Sequence, residues 1–524
     1  MAELKGFLNK IPGSFKITFL IVFTLIVFGV ISPSNFADLT RSVNVVLFNY
    51  FGGYYMIFAF LTLVVLVLIG LSPLGKVRIG GKEAKPEFSY FSWLSMLFCT
   101  GMGVGLMFWG VAEPLYHFIY PPIGGESGDY ENQITAFKIT FLHWGLTPWA
   151  IYGLTAIAVS FLGFNLKRGI LFSSLLTGKQ KAGKEKNTGS KVVDIITIIA
   201  IFFGVVASFG MGVLILEGGL EALTSLKSSF GLQLLIIIFA TVFYMTSTLR
   251  GLDGGIKVLS NISMMLSFVL FGFILWNMPK TQLGQYAIDT TQLYIKDFLD
   301  MSLGNFIYNS PDFLREWTVK YWSWWIAWAP FVGIFIAITS FGRTIREIAF
   351  SVLLAPTIYS FIWFIVFGTA AFHTQSMTNF PVTLDDAGVM LYNVVEYITK
   401  MPLISWLTIF IAAIFFINSA DSATYTLASF TKEKNTLSEK PSKYLQISWG
   451  LLFSIMTALF LFIGGIYILQ EITLIFALPF SVLLLIIFAI FILSLIRYYQ
   501  ENYVKSETVD TPSVKNPAKS TAST

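Results

Sequence analysis

Apolar runs of about 20 residues, the length a helix needs to cross a bilayer, recur along the chain from one end to the other. Breaks of polar residues, glycine or proline delimit twelve of them, at 15–32, 50–72, 88–112, 133–160, 192–219, 231–249, 256–278, 317–341, 347–372, 402–430, 443–465 and 472–496. The pattern predicts an all-α integral membrane protein with 12 transmembrane helices. Between the seventh and eighth runs, 291–308 carries apolar residues at helical spacing among polar ones and predicts a helix lying on the surface. The Lys/Gly-rich connection 167–191 reads as mobile, and the Ser/Thr-rich tail 501–524 as disordered.

Two spans come first and two sets of five follow. Spans three to seven (88–278) and eight to twelve (317–496) are equal in number, and because five is odd the second set must cross in the opposite sense. This predicts an inverted five-helix repeat, with an N-terminal segment 1–87, a connector 279–316 and a tail 497–524 outside it. Inverted-repeat transporters place their sites near mid-membrane, where the first helix of each repeat loses regularity. Span three carries Gly101-Met102-Gly103-Val104-Gly105 and span eight carries Pro330 and Gly333, so a broken helix is expected in each half.

Charge adds orientation. Only 12% of residues are charged, about half the share in an ordinary soluble domain, and 55% are hydrophobic. Most of the 34 Lys and Arg fall in the N-terminal segment, the even-numbered connections and the tail, which by the positive-inside rule makes both termini cytoplasmic and places the chain in the cell membrane. The net charge of +5 follows from that orientation and gives no case for nucleic acid. Phe15–Ile31 lacks a small-residue cleavage site and reads as a retained span. Cys99 is the single cysteine, which excludes an intramolecular disulfide. His117, His143 and His373 lie far apart without ligand spacing, which argues against a zinc or two-metal centre. No nucleophile–base pair is visible, so an enzyme is not expected. The tail mixes Lys505, Lys515 and Lys519 with Glu507 and Asp510 and is a weak candidate for anionic lipid.

Five of the 13 tryptophans lie between 317 and 328. On a helix Trp322, Trp325 and Trp328 follow one another at spacings of three, beside Trp324. Such a row is either an aromatic belt or core packing, or a site for a cation with no N–H to donate, held by ring quadrupoles. The three glycines at 101, 103 and 105 either allow close helix packing, since Gly101 and Gly105 form a GxxxG pair, or let a ligand reach backbone groups. Unwinding there frees N–H groups for a carboxylate and carbonyls for a small cation. Span four adds His143, Trp144, Pro148, Trp149 and Tyr152, and span ten carries Phe415, Asn418, Ser419, Asp421 and Ser422 in an otherwise apolar run. Asp421 is either a functional ionisable residue at depth or a partner in an interhelical hydrogen bond.

Taken together, Gly101–Pro114, the span-four aromatic motif, Tyr321–Gly333 and Gly342-Arg343-Thr344-Ile345-Arg346-Glu347 resemble the betaine/choline/carnitine transporter family over roughly 85–430. The resemblance implies the leucine-transporter fold after two additional N-terminal helices, a homotrimer in the lipid bilayer, and transport of quaternary ammonium solutes such as glycine betaine, choline or carnitine. Carried onto this sequence, Trp144, Trp149, Tyr152 and Trp325 form the central aromatic box, with Trp322 and Trp328 on the access path and Gly101, Met102, Gly103 and Gly105 beside it. Sodium-coupled betaine carriers are similar in having glycine at Gly105, where proton-coupled choline carriers have aspartate. A sodium-independent carnitine exchanger has arginine at the position of Met264. Both comparisons imply sodium as the coupling ion and no other cofactor, with Cys99, Met102, Phe415, Asn418 and Ser419 as its ligands. The alternatives are a sodium-independent exchanger and a solute sensor that transports nothing. The chain departs from the family pattern at Asn418, where threonine is expected, and at Ile201 and Val205, which stand for two threonines of a second ion site near Phe331. It departs again at Ile338 and Phe341, which stand for two arginines.

Overall fold

The protein is described from a computed structural model, which covers residues 13–122, 130–178, 188–249, 256–304, 310–431 and 441–504. Among these residues there are helices and one isolated bridge, Arg78 to Thr344, and no strand. Eleven helices are long and apolar enough to span a membrane, and a bent pair supplies a twelfth span. The chain is a multi-span membrane protein, as the apolar runs predicted.

Helices α1 (Gly13–Ile31) and α2 (Pro33–Leu71) come first. The second is longer than its apolar run. Pro33 at its first turn lacks only an N–H that would have no intrahelical acceptor, so the helix starts well before the run does. Span three is the bent pair α3 (Tyr90–Gly101) and α4 (Gly103–Ile119), which meet at 62°. Ser89 caps α3 by accepting from Ser92 N at 3.3 Å, and Met102 leaves helical geometry at φ −151°. Span four is also interrupted, at Gly145, between α5 (Tyr130–Trp144) and α6 (Leu146–Ser160). Pro148 has no N–H to offer the Trp144 carbonyl, which weakens the helix at that turn.

A short α7 (Phe172–Thr177) leads to α8 (Thr188–Leu223), α9 (Phe230–Thr248) and α10 (Lys257–Asn277). The surface helix is α11 (Lys280–Leu303), which begins earlier than the predicted 291–308 and ends at Gly304 in left-handed geometry. Span eight, α12 (Val319–Thr339), corrects an expectation. It runs unbroken through Pro330 and Gly333. In a buried span, neighbouring helices hold the segment in place although one backbone hydrogen bond is lost at proline. Gly333 serves packing instead, because a Cβ there would lie 2.6 Å from Thr155 Cγ2.

Helix α13 (Ile345–Thr378) starts with a capping box between Thr344 and Glu347. It is followed by α14 (Ala387–Thr399), which the apolar runs did not reveal, then α15 (Pro402–Phe430) and α16 (Lys443–Tyr499), kinked at Gly464 and Gly465. The central spans are almost wholly enclosed, with 94% of the apolar window buried in α8 and in the span that contains α12, against 22% in α1. The outer faces of α1, α9 and α10 carry exposed Leu20, Phe239, Val242, Met265 and Trp276, as lipid contact requires. Of the segments read as mobile, 179–187 and 505–524 lie outside the described residues, and with them the tail lysines.

Candidate functional site

The two interrupted spans and α12 meet at the centre of the bundle, where their aromatic residues close on one another. Trp144 and Trp325 lie 5.1 Å apart at 74°, Tyr152 and Trp325 6.1 Å apart at 85°, and Trp149 and Tyr152 5.6 Å apart at 86°. Edge-to-face contacts of this kind join the four rings into one connected aromatic cluster. Trp324 stacks on Trp325 at 4.4 Å, and Trp328 follows it at 6.1 Å. Trp149, Trp144, Tyr152 and Trp325 are all fully buried.

The glycines of the α3–α4 break bring backbone against this cage. A Cβ on Gly105 would lie 2.8 Å from Trp144 Cη2 and 3.4 Å from Trp324 Cη2, and one on Gly101 would lie 3.0 Å from Trp149 Cη2. Gly103 faces the Phe415 ring in the same way. The first turn of α4, with its unpaired N–H groups and positive dipole end, therefore starts at the cage wall. Two neutral donors at the wall, Trp149 Nε1 and the Tyr152 hydroxyl, have no hydrogen-bond partner among the described residues. A buried aromatic cluster beside a helix N-terminus is suited to a ligand with a methylated cationic head and a carboxylate.

Trp322 does not join the cage. Its Nε1 donates to Met56 Sδ on α2 at 3.1 Å, which engages this indole on the α2 side of the helix. Met102 points its sulfur toward Ser360 Oγ, 3.1 Å away.

A buried hub behind the cage had no assigned role in the sequence reading. Glu113 of α4 accepts from Trp144 Nε1 at 2.5 Å and from the Tyr321 hydroxyl, while its other oxygen lies 2.7 Å from His143 Nδ1. His143 Nε2 lies 3.0 Å from Thr318 Oγ1, and its backbone carbonyl, free at the interruption, accepts from Trp325 Nε1 at 2.9 Å. Two adjoining rings of the cage, Trp144 and Trp325, are thus fixed through one carboxylate and one histidine. His117 Nε2 lies 3.5 Å from Glu113, so folding gathers two histidines that sequence spacing kept apart. Glu113, His117 and His143 offer ligand atoms within 4.8 Å of one another, a metal-capable set that spacing argued against. The signal available in sequence was an ionisable residue inside an apolar run.

On the other side of the break, the end of α3 packs on α15 and α10: Thr100 Oγ1 lies 3.3 Å from Ser422 Oγ, and Cys99 Sγ donates to Ser260 O at 3.5 Å. Asn418 and Ser419 are buried there, and Asn418 Oδ1 and Ser419 Oγ have no partner among the described residues. Asn418 Nδ2 donates to Ser260 Oγ at 2.9 Å, which aims its oxygen away from that contact. Orphaned oxygens beside helix-end carbonyls suit a small hard cation. Ile201 and Val205 are buried on α8 and bring no side-chain oxygen.

The two ends of the bundle differ. At one, a cavity lined by Glu316, Trp317, Lys320, Gln470 and Thr473 descends to Tyr321 and Trp324. At the other, the Arg343 guanidinium lies 3.9 Å over Trp93 and 4.3 Å over Tyr90 and donates to Phe88 O at 2.9 Å. Ile79 N donates to Arg343 O and Ile345 N to Val77 O, both at 2.9 Å, which ties the α12–α13 turn to the segment before α3. Gly342 permits this with φ +80°, where a Cβ would run into the Lys85 backbone. Phe341 packs on Phe164 at 5.2 Å in the same closure.

A family model described as BCCT, betaine/carnitine/choline family transporter, matches residues 14–500. The chain is 36% identical over 508 residues to the glycine betaine transporter OpuD of Bacillus subtilis, covering 96% of this chain and 98% of the relative. It is 34% identical over 481 residues to an ectoine/hydroxyectoine transporter of Virgibacillus pantothenticus, covering 91% and 95%. To the osmo-dependent choline transporter BetT2 of Acinetobacter baylyi it is 30% identical over 496 residues, covering 93% and 71%.

Proposed function

Because this chain belongs to the betaine/carnitine/choline family of transporters, we propose that it takes up glycine betaine, driven by sodium through alternating access. The observation that carries this reading is the closed cage of Trp144, Trp149, Tyr152 and Trp325 against the N-terminal turn of α4. Indole and phenol faces replace water around a trimethylammonium group, each contributing about 0.5–2 kcal/mol, while backbone N–H groups receive the carboxylate. Sodium coupling is supported by the unpartnered Asn418 and Ser419 oxygens on α15, the helix that meets the end of α3 at Ser422. The ion would neutralise carbonyl dipoles there and hold α3 to α15, which couples its binding to the shape of the cage. With the cage fully buried, only a small cavity at the Glu316 end and closure at the Arg343 end, the arrangement fits a state occluded on both sides. On the family basis the protein assembles as a homotrimer.

Uptake of labelled glycine betaine into proteoliposomes, with and without an inward sodium gradient, tests this directly. Uptake that needs the gradient is expected, and counterflow indifferent to sodium would replace symport by exchange. Binding without any counterflow would make the protein a sensor. A panel of glycine betaine, choline, carnitine and ectoine identifies the substrate, since the first three share the trimethylammonium head and differ in the rest of the molecule, while ectoine carries its charge on a ring amidine.

A further inference from the structure

Helix α15 carries Asn418, Asp421 and Thr424 at successive spacings of three, so their side chains form one stripe toward the helix end at Phe430. All three are completely buried. Asn418 Oδ1, Asp421 Oδ1 and Thr424 Oγ1 have no hydrogen-bond partner among the described residues, and Asp421 has no ion-pair partner among them. The other Asp421 oxygen accepts from Ser247 Oγ on α9. Beyond Thr424, α9, α15 and α16 meet in a closed seam of Thr248, Thr424 and Gln446 with Met245, Leu249 and Ile447, and Gln446 Oε1 is likewise unpartnered. The stripe starts beside the end of α3, where Thr100 Oγ1 lies 3.3 Å from Ser422 Oγ, and ends at that seam.

A buried ionised carboxylate without a positive neighbour is costly, and a cation held by it removes the cost. One carboxylate among neutral oxygens suits a monovalent hard cation better than a divalent one, which gathers more charged ligands. We propose that Asp421, with Asn418 and Thr424, forms a second sodium site through which the coupling ion leaves toward the Arg343 end of the bundle. This rests on the sodium-coupled reading above. After leaving the carbonyls of α3, the ion stays among oxygens on α15 and is drawn one helical turn onward by the carboxylate. Ser247 holds the carboxylate in place without neutralising it.

The test is binding of radioactive sodium to the purified full-length protein, compared with Asp421→Asn and Thr424→Val, alongside the sodium dependence of glycine betaine affinity. Both substitutions are close in volume to the native residues, and retained betaine binding reports that the variants are folded. The expected result is that each variant binds one sodium ion fewer per chain, while sodium still raises betaine affinity to within about twofold of the native response. Unchanged sodium stoichiometry in both variants overturns the site and leaves coupling standing. Displacement of the ion by potassium as readily as by sodium also overturns it. Betaine affinity indifferent to sodium in the native protein overturns the coupling reading itself, and the exit role with it.

Discussion

Replacing Glu113 by glutamine keeps the shape of the side chain and removes its charge, so it isolates what the carboxylate does for the cage. The native carboxylate receives Trp144 Nε1 and the Tyr321 hydroxyl on one oxygen and faces His143 on the other. Trp144 can only donate. The amide must therefore turn its oxygen toward Trp144 and its NH2 toward His143 Nδ1. His143 adapts by becoming an acceptor at Nδ1 and donating from Nε2 to Thr318 Oγ1, 3.0 Å away. Two bonds to a charged acceptor, worth about 1.5–3 kcal/mol each, become neutral bonds worth about 1 kcal/mol each, a net loss of about 1–4 kcal/mol. Alanine in the same place leaves three buried donors unpaired at about 1–3 kcal/mol each, or about 3–9 kcal/mol before any cavity cost. That is comparable with the whole stability of many folded domains, roughly 5–15 kcal/mol. Glu113→Gln should therefore fold with a lowered Tm, and Glu113→Ala should be recovered poorly. With Trp144 less firmly held, up to the value of one cation–π contact is lost, so betaine affinity should fall about two- to thirtyfold. Intrinsic tryptophan fluorescence titrated with glycine betaine gives the affinity, and a thermal shift of the same sample gives the stability. Glutamine variants with native Kd and native Tm, or variants less stable than alanine, refute the reasoning.

Gly105→Ala should weaken betaine binding while the protein still folds, because its methyl group meets Trp144 Cη2 at 2.8 Å at the cage wall; a binding titration on purified protein checks this. Trp325→Ala should cost several-fold or more in betaine affinity. Trp322→Phe, which removes the N–H that reaches Met56 together with the pyrrole ring that carries it, should leave affinity nearly native and lower Tm, and the paired titrations and melts separate the two tryptophans. Arg343→Lys should loosen the closed end of the bundle, since an ammonium keeps the charge but loses the stacked geometry over Trp93 and Tyr90. Faster proteolysis within 77–89 is the expected readout. Gly333→Val should destabilise the protein through collision with Thr155 and lower the yield of folded material on gel filtration.

The sequence by itself determined the spans, the enclosing membrane and the concentration of aromatic residues, because each depends on composition and on distances along one helix. It also determined the interruption in span three, since three glycines at alternate positions weaken any helix whatever surrounds it. Direction in space was not readable from it. Trp322 and Trp325 differ little in local sequence, and only the approach of Met56 on one side and of the His143 carbonyl on the other sends one indole away and the other into the cage. Pro330 looked like a break and became part of a continuous helix, because packing from every side outweighs one missing hydrogen bond. Glu113, His117 and His143 lie on two helices, and their meeting follows from how α4 and α5 cross. Hydrogen bonds between residues far apart in the chain depend on three-dimensional placement, which local pattern does not encode.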